Sequence, residues 1–178
     1  MSVLDFGSGW GLFLVNIILY VGFVAIRRHV DVWLPDRAFD PTKWRYRSAA
    51  WERHGAFYRD VLHINRWKDK LPCLVPLTGF SKKSITDVRK DYLSRFIVET
   101  CRAESNHVSA VLFTFVLLLW TPLDMWLVCF LIAALGNAPF IMIQRYNRPR
   151  LQHALELADA CPPPHLPRHT KIATSSMA

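Results

Sequence analysis

Charge is missing from two long stretches of this chain. No charged residue lies between Trp10 and Ile26, and Asp124 is the only one between Val108 and Ile143. The chain as a whole is nonetheless 52% hydrophobic with a formal net charge of +8. Apolar and charged residues therefore occupy separate blocks, which excludes an ordinary soluble globular domain. Cysteine is scarce: Cys73, Cys101, Cys129 and Cys161 form no CxxC pair and no metal-finger spacing. That pattern argues against a disulfide framework and leaves the four as inert, free thiols.

Several familiar catalytic signatures are also absent. There is no phosphate-binding glycine loop, no HxxxxD, no GxSxG and no HExxH, so the chemistries those motifs carry have no anchor here. Internal repeats are lacking as well.

The uncharged stretches read as membrane spans. A bilayer core of about 30 Å takes roughly 20 helical residues, and residues 10–26, extended by Val3 to Phe6, come close to that. A cleaved signal peptide is the competing reading. It requires positive charge before the apolar run, whereas here Asp5 precedes it and Arg27, Arg28 and His29 follow. The positive-inside rule then places the N-terminus outside and the C-terminus in the cytoplasm. Residues 108–143 are too long for one ordinary span and are broken at Thr121-Pro122-Leu123-Asp124. Proline removes a donor and restrains its predecessor, so a turn is expected there. The spacing predicts a helical hairpin, about 107–121 and 123–143, with Trp120 and Trp126 at the interface. Its short first arm leaves open a re-entrant form that does not fully cross.

Seventeen of the 22 Lys and Arg lie between Arg27 and Arg102. Residues 35–80 mix them with Trp44, Trp51, Trp67, Phe57, Tyr58 and Phe80, and are expected to form short helices and loops on the inner leaflet. Ile85, Val88, Tyr92, Phe96 and Ile97 recur at helical spacing, with Ser84 and Asp87 as a capping box. This amphipathic helix is expected to run into the second span. The proline- and serine-rich residues 162–178 read as a disordered tail, leaving 1–161 as a single membrane domain. The fold class expected is all-α.

The densest polar cluster at a membrane boundary is ETCRAESNH, Glu99 to His107. Glu104 and His107 are three apart and neighbours on a helix. A carboxylate beside an imidazole can serve as an oriented general base, and the same spacing can hold a metal. The bland alternative is a solvated helix end with Glu99 paired to Arg95 or Arg102. Glu99 is about 140° round the helix from Glu104, which disfavours one ion bound by all three; neither a metal nor a cofactor is expected. His54 is the competing base. In QRYNRPRL, Arg145, Arg148 and Arg150 could hold phosphate, since arginine forks grip it with two prongs, with Asn147 a further candidate substrate-binding residue; simple positive-inside anchoring is the alternative. Asn137 is costly at its depth unless paired, so it is expected to face inward near the polar cluster. Trp67 and Lys68 complete the candidate substrate-binding residues.

The ordered segments PDRAF, WERHGAFY, WKDKLP, ETCRAESNH and NAPFIMIQRYNRPRL resemble the glycosyl-4,4'-diaponeurosporenoate acyltransferase family, small membrane enzymes that finish staphyloxanthin-type carotenoids. The resemblance runs from about Leu34 to Leu151. It implies transfer of a fatty acyl group from a thioester donor, acyl-CoA or acyl carrier protein, to a sugar hydroxyl of a glycosylated lipid. Membrane lipids are the expected surroundings and nucleic acid is not an expected partner. Two readings stand beside it: a non-enzymatic membrane adaptor, and a metal-dependent lipid enzyme using Glu99, Glu104 and His107.

Overall fold

The computed structural model describes residues 9–71 and 89–160. The expected capping box at Ser84 and Asp87, the run from Val3 to Phe6 and the tail from 162 lie outside the described residues. Within them the chain is all-α, with four α-helices, five short 3-10 helices and no strand.

Helix α1, Gly9–Trp33, is 25 residues long and continues past the expected end at Ile26 through Arg27, Arg28 and Asp31. Its burial pattern is the reverse of a soluble helix. Gly11, Asn16 and Asp31 are the buried residues, while Ile18, Val21 and Ile26 are exposed. Polar groups inside and apolar ones outside suit a helix whose solvent is hydrocarbon. Asn16 is satisfied within the protein: its Nδ2 donates to Thr121 Oγ1 at 3.0 Å, and its Oδ1 accepts from Trp120 Nε1 at 3.0 Å.

Helices α3, Lys90–Leu117, and α4, Leu123–Ala160, form the hairpin. The turn falls at the expected Pro122, where Trp126 N–H donates to the Pro122 carbonyl at 2.8 Å. The tryptophans beside it bond inward rather than only to headgroups, Trp126 Nε1 donating to the Thr114 carbonyl at 2.8 Å. Helix α4 does not stop near Ile143; it runs 38 residues through both Pro139 and Pro149. Helices α1 and α4 are long and apolar enough to cross a membrane. Helix α3 is not, because its first fifteen residues include Asp91, Arg95, Glu99, Arg102 and Glu104. Phe23 of α1 stacks on Phe113 of α3 at 4.1 Å, which ties the first helix to the hairpin.

The other half of the molecule has a conventional apolar core. Leu93, Phe96 and Ile97 of α3 bury against Leu151 of α4, each side chain contributing about 1.5–3 kcal/mol. Onto this half folds the basic segment, as a series of 3-10 turns plus the short helix α2, Ala56–Asp60. Turns leave many carbonyls without a ladder partner, and the basic side chains supply the donors. Lys43 Nζ donates to the Arg37 carbonyl at 2.8 Å, Arg45 Nη2 to that of Ala38 at 2.8 Å and Arg47 Nε to that of Thr42 at 2.7 Å. Much of the positive charge therefore holds the segment together.

Candidate functional site

Two polar assemblies lie next to each other where α3 meets α4. The first is ionic and buried. Glu104, 4% exposed, stands between two arginines of α4. Its Oε1 accepts from Arg145 Nη1 at 2.7 Å, and its Oε2 accepts from Arg148 Nη2. Arg145 also grips a second buried carboxylate: its Nε donates to Glu52 Oε1 at 2.5 Å and its Nη2 to Glu52 Oε2 at 3.0 Å. Two acids and two arginines make the assembly neutral, which is what burial demands.

The remaining donors are spoken for by the basic segment and α3. Arg148 Nη1 donates to the Tyr46 carbonyl at 2.7 Å and its Nε to Thr100 Oγ1 at 3.1 Å. Arg145 Nη2 donates to the Arg47 carbonyl at 3.0 Å. Tyr58 Oη donates to Glu52 Oε1 at 2.5 Å, and Ala49 N–H to Glu52 Oε2 at 2.6 Å. Burial alone would push the Glu52 carboxyl up, but the bonds from Arg145, Tyr58 and Ala49 hold it below the usual carboxylate range. The bond to Glu52, ahead of that to Glu104, raises Arg145 further above its ordinary value.

The chain enters this assembly through a strained corner. Arg53 (φ 48°), His54 (φ 52°) and Gly55 (φ 93°) are all left-handed, at about 1–2 kcal/mol for each non-glycine residue. The corner reverses the chain between Glu52 and Tyr58. A Cβ on Gly55 would meet the Tyr146 carbonyl oxygen at 3.3 Å, so only glycine lets this turn approach α4 so closely.

The second assembly holds no carboxylate, lysine or arginine and lies one turn of α3 closer to the hairpin turn. His107 Nδ1 is 2.8 Å from Asn137 Oδ1. The Asn137 Nδ2 donates to the Ala133 carbonyl at 2.7 Å and to Tyr20 Oη at 2.8 Å. A carbonyl can only accept, so that atom is the amide nitrogen and the atom facing His107 is the oxygen. The neutral imidazole then carries its proton on Nδ1, and Nε2 is its basic nitrogen. Phe140 stacks on the ring at 4.8 Å, 6° from parallel. Asn137 is 14 residues beyond Leu123, about 21 Å along α4.

A cavity of about 310 Å³ opens from the Asn137 side between α1 and the hairpin. Its walls include Phe13, Ile17, Tyr20, Ala133 and Gly136, with Asn16 among the polar lining residues.

This geometry corrects several expectations. Glu104 does not act as the orienting carboxylate of His107: both its oxygens are committed to arginines, and Asn137 takes the orienting position. Arg145 and Arg148 do not form an open phosphate clamp, because buried carboxylates already neutralise them. Arg150 is exposed and stacks over the Tyr146 ring at 4.9 Å, away from the other two, since five and two residues place it on other faces of the helix. Asn147 is half-buried beside them. Glu99 pairs with Arg102, which also bonds Asp36 at 2.8 Å, matching the bland reading rather than a role beside His107. His54 is exposed on the strained corner, and no contact joins it to His107. Trp67 packs near Tyr58 and Tyr146 and donates to the Leu62 carbonyl at 2.9 Å, while Lys68 pairs with Asp69 at 2.8 Å. Asn137 faces inward, next to the cluster. No group of three His, Cys, Asp or Glu among the described residues is placed to hold a metal.

Sequence reasoning missed Glu52, Tyr58 and Tyr20. Glu52 left one signal: it is the only acidic residue from Pro41 to Arg59, a stretch with five arginines and lysines. Such an isolated acid invites a search for a buried cation.

Comparison with known proteins follows the same residues. The family profile for glycosyl-4,4'-diaponeurosporenoate acyltransferase matches residues 41–157, a span that contains Glu52, Glu104, His107, Asn137, Arg145 and Arg148. The acyltransferases of that name from Staphylococcus aureus strains N315 and USA300 are each 29% identical over 126 residues, covering 70% of this chain and 76% of theirs. No solved structure matches the chain. The chain belongs to the glycosyl-4,4'-diaponeurosporenoate acyltransferase family, and it is an acyltransferase.

Proposed function

We propose that this enzyme moves a fatty acyl group from a thioester donor, acyl-CoA or acyl carrier protein, to a sugar hydroxyl of a glycosylated, carotenoid-like lipid at the cell membrane. The relatives are named for glycosyl-4,4'-diaponeurosporenoate, which supplies the acceptor class. The observation that carries the reaction is the Asn137–His107 pair, with its single basic nitrogen Nε2.

In this reading the acceptor hydroxyl oxygen attacks the thioester carbonyl carbon while Nε2 takes the hydroxyl proton. The tetrahedral intermediate collapses, the carbon–sulfur bond breaks, and the imidazolium returns the proton to the departing thiolate. An ester and a free thiol result. Asn137 keeps the ring in the correct tautomer and Phe140 fixes its plane, while the Glu52–Arg145–Glu104–Arg148 assembly locks the basic segment to the helices below the site. The N-terminus lies outside and the C-terminus in the cytoplasm, with the donor arriving from the cytoplasmic side, as the basic residues after Ile26 favour.

The test is transfer from radiolabelled acyl-CoA to a glycosylated carotenoid in reconstituted membranes. His107→Ala should lower the rate by about 10²–10⁴-fold while the protein accumulates and melts normally. Wild-type rates in that variant would place the base elsewhere.

A further inference from the structure

Between α1 and the hairpin the cavity of about 310 Å³ has polar groups at two levels and apolar walls between. At one level Asn137 and Tyr20 bond each other, and Asn137 in turn faces His107. At the other, Asn16 is tied to Thr121 and Trp120, beside the hairpin turn. Ile17 and Ile132 line the space yet are 42% and 60% exposed, so the lipid-facing surface continues into it. Gly136 belongs to the lining, and a Cβ built there would meet nothing within 4 Å. Its missing side chain is thus part of the space.

We infer that this cavity is the binding groove for the acyl chain of the donor, with chain length set by Gly136 and the Asn16 end; the inference rests on the acyl-transfer reading above. Three features point to that occupant. The groove starts at the residue that orients the imidazole, so a chain within it leads its carbonyl toward His107. From Cys129 to Asn137 it extends 8 residues of α4, about 12 Å, and the Asn16 bonds obstruct its far end. A saturated chain can bend at each staggered torsion to fit a short, blind groove, whereas a conjugated polyene is a stiff rod. The walls are apolar, and the polar groups at both ends are already hydrogen-bonded to protein, so a chain would meet few unsatisfied donors.

The test uses a saturated fatty acyl-CoA bearing a terminal diazirine, photolysed with the purified full chain in nanodiscs, and maps the labelled peptides. Label is expected on the α1 stretch around Phe13 and Ile17 and on the α4 stretch from Cys129 to Gly136. Gly136→Leu, whose side chain enters open space, should abolish that label. It should also lower kcat/KM for long acyl chains relative to short ones by about tenfold for each methylene displaced. Phe13→Ala should shift preference the other way. His107→Ala must keep the label while losing transfer, which separates failure of the groove from failure of the base. An unchanged chain-length preference in both groove variants would overturn the proposal. So would label on the basic segment, or label displaced by a glycosylated polyene but not by unlabelled acyl-CoA.

Discussion

Removing the charge of Glu104 tests the ionic assembly most directly. Glu104→Gln keeps the shape of the side chain but turns a neutral group of four into one carrying an unbalanced positive charge. Arg148, 2% exposed, would keep Thr100, the Tyr46 carbonyl and ring and the new amide oxygen, none of them charged. Arg145 would still hold Glu52. Breaking a buried pair by removing one partner costs about 3–5 kcal/mol. For a protein of this length each kcal/mol moves the melting temperature by about 2–4 °C, so a fall of roughly 6–20 °C is expected, read by tryptophan fluorescence in detergent micelles. The double variant Glu104→Gln/Arg148→Gln restores neutrality and leaves the Glu52–Arg145 pair intact. It should melt above the single variant, with a coupling of about 0.5–3 kcal/mol. A single variant melting within 2 °C of the wild type, or a double variant no better than the sum of its parts, would refute the buried-charge argument.

Gly55→Ala forces a Cβ against the Tyr146 carbonyl at a φ of 93°. It should cost about 1–3 kcal/mol in the same melting assay, while Gly22→Ala, with nothing within 4 Å of the new carbon, should be neutral or slightly stabilising. Acid should loosen the assembly as well. The folded Glu52 carboxyl lies below the ordinary value, so its contribution is complete above about pH 4.5 and is lost as pH falls through the folded value. Glu52→Gln should melt lower at pH 7 and lose less on acidification; equal acid slopes in the two proteins would count against this.

The helices were legible because their signals are local. A charge-free run, a proline between two apolar blocks and 3.6-residue spacing each lie within one window, and the structure places α1 and the Pro122 turn accordingly, with α3 running unbroken from Lys90 to Leu117. The depth of Asn137 also predicted its inward face, because an unpaired amide there is costly. The ion-pair assembly was not legible. Arg145 and Arg148 are three apart and look like an open cationic site, while the acids that neutralise them lie 93 and 44 residues away. Nothing in a short window announces such a partner, and the left-handed corner that delivers Glu52 is built partly from Arg53 and His54, residues with no strong turn preference. The end of α4 failed for a related reason: the apolar run stops at Ile143, yet the helix continues through Pro149 because Leu151 and the residues after it pack against α3, and that packing outweighs the lost backbone bond.

The two assemblies also explain each other's chemistry. A carboxylate beside His107 would have to be kept ionised next to the apolar layer, where an unpaired charge is expensive. Asn137 orients the ring without bringing any charge, and its own amide protons are absorbed by Ala133 and Tyr20. The charges stand instead one turn earlier on α3, at Glu104, where Arg145 and Arg148 cancel them and the turns of the basic segment close over them. The Glu-x-x-His spacing is thus divided between two partners: the glutamate bonds Arg145 and Arg148, and the histidine, three residues on, bonds Asn137, which lines the apolar groove. A base for ester formation needs its reacting hydroxyl near the headgroup level and its acyl chain in hydrocarbon. In the proposed reading, the pair lies toward the apolar groove and the neutralised ionic assembly toward the basic segment, and His107 between them meets both needs.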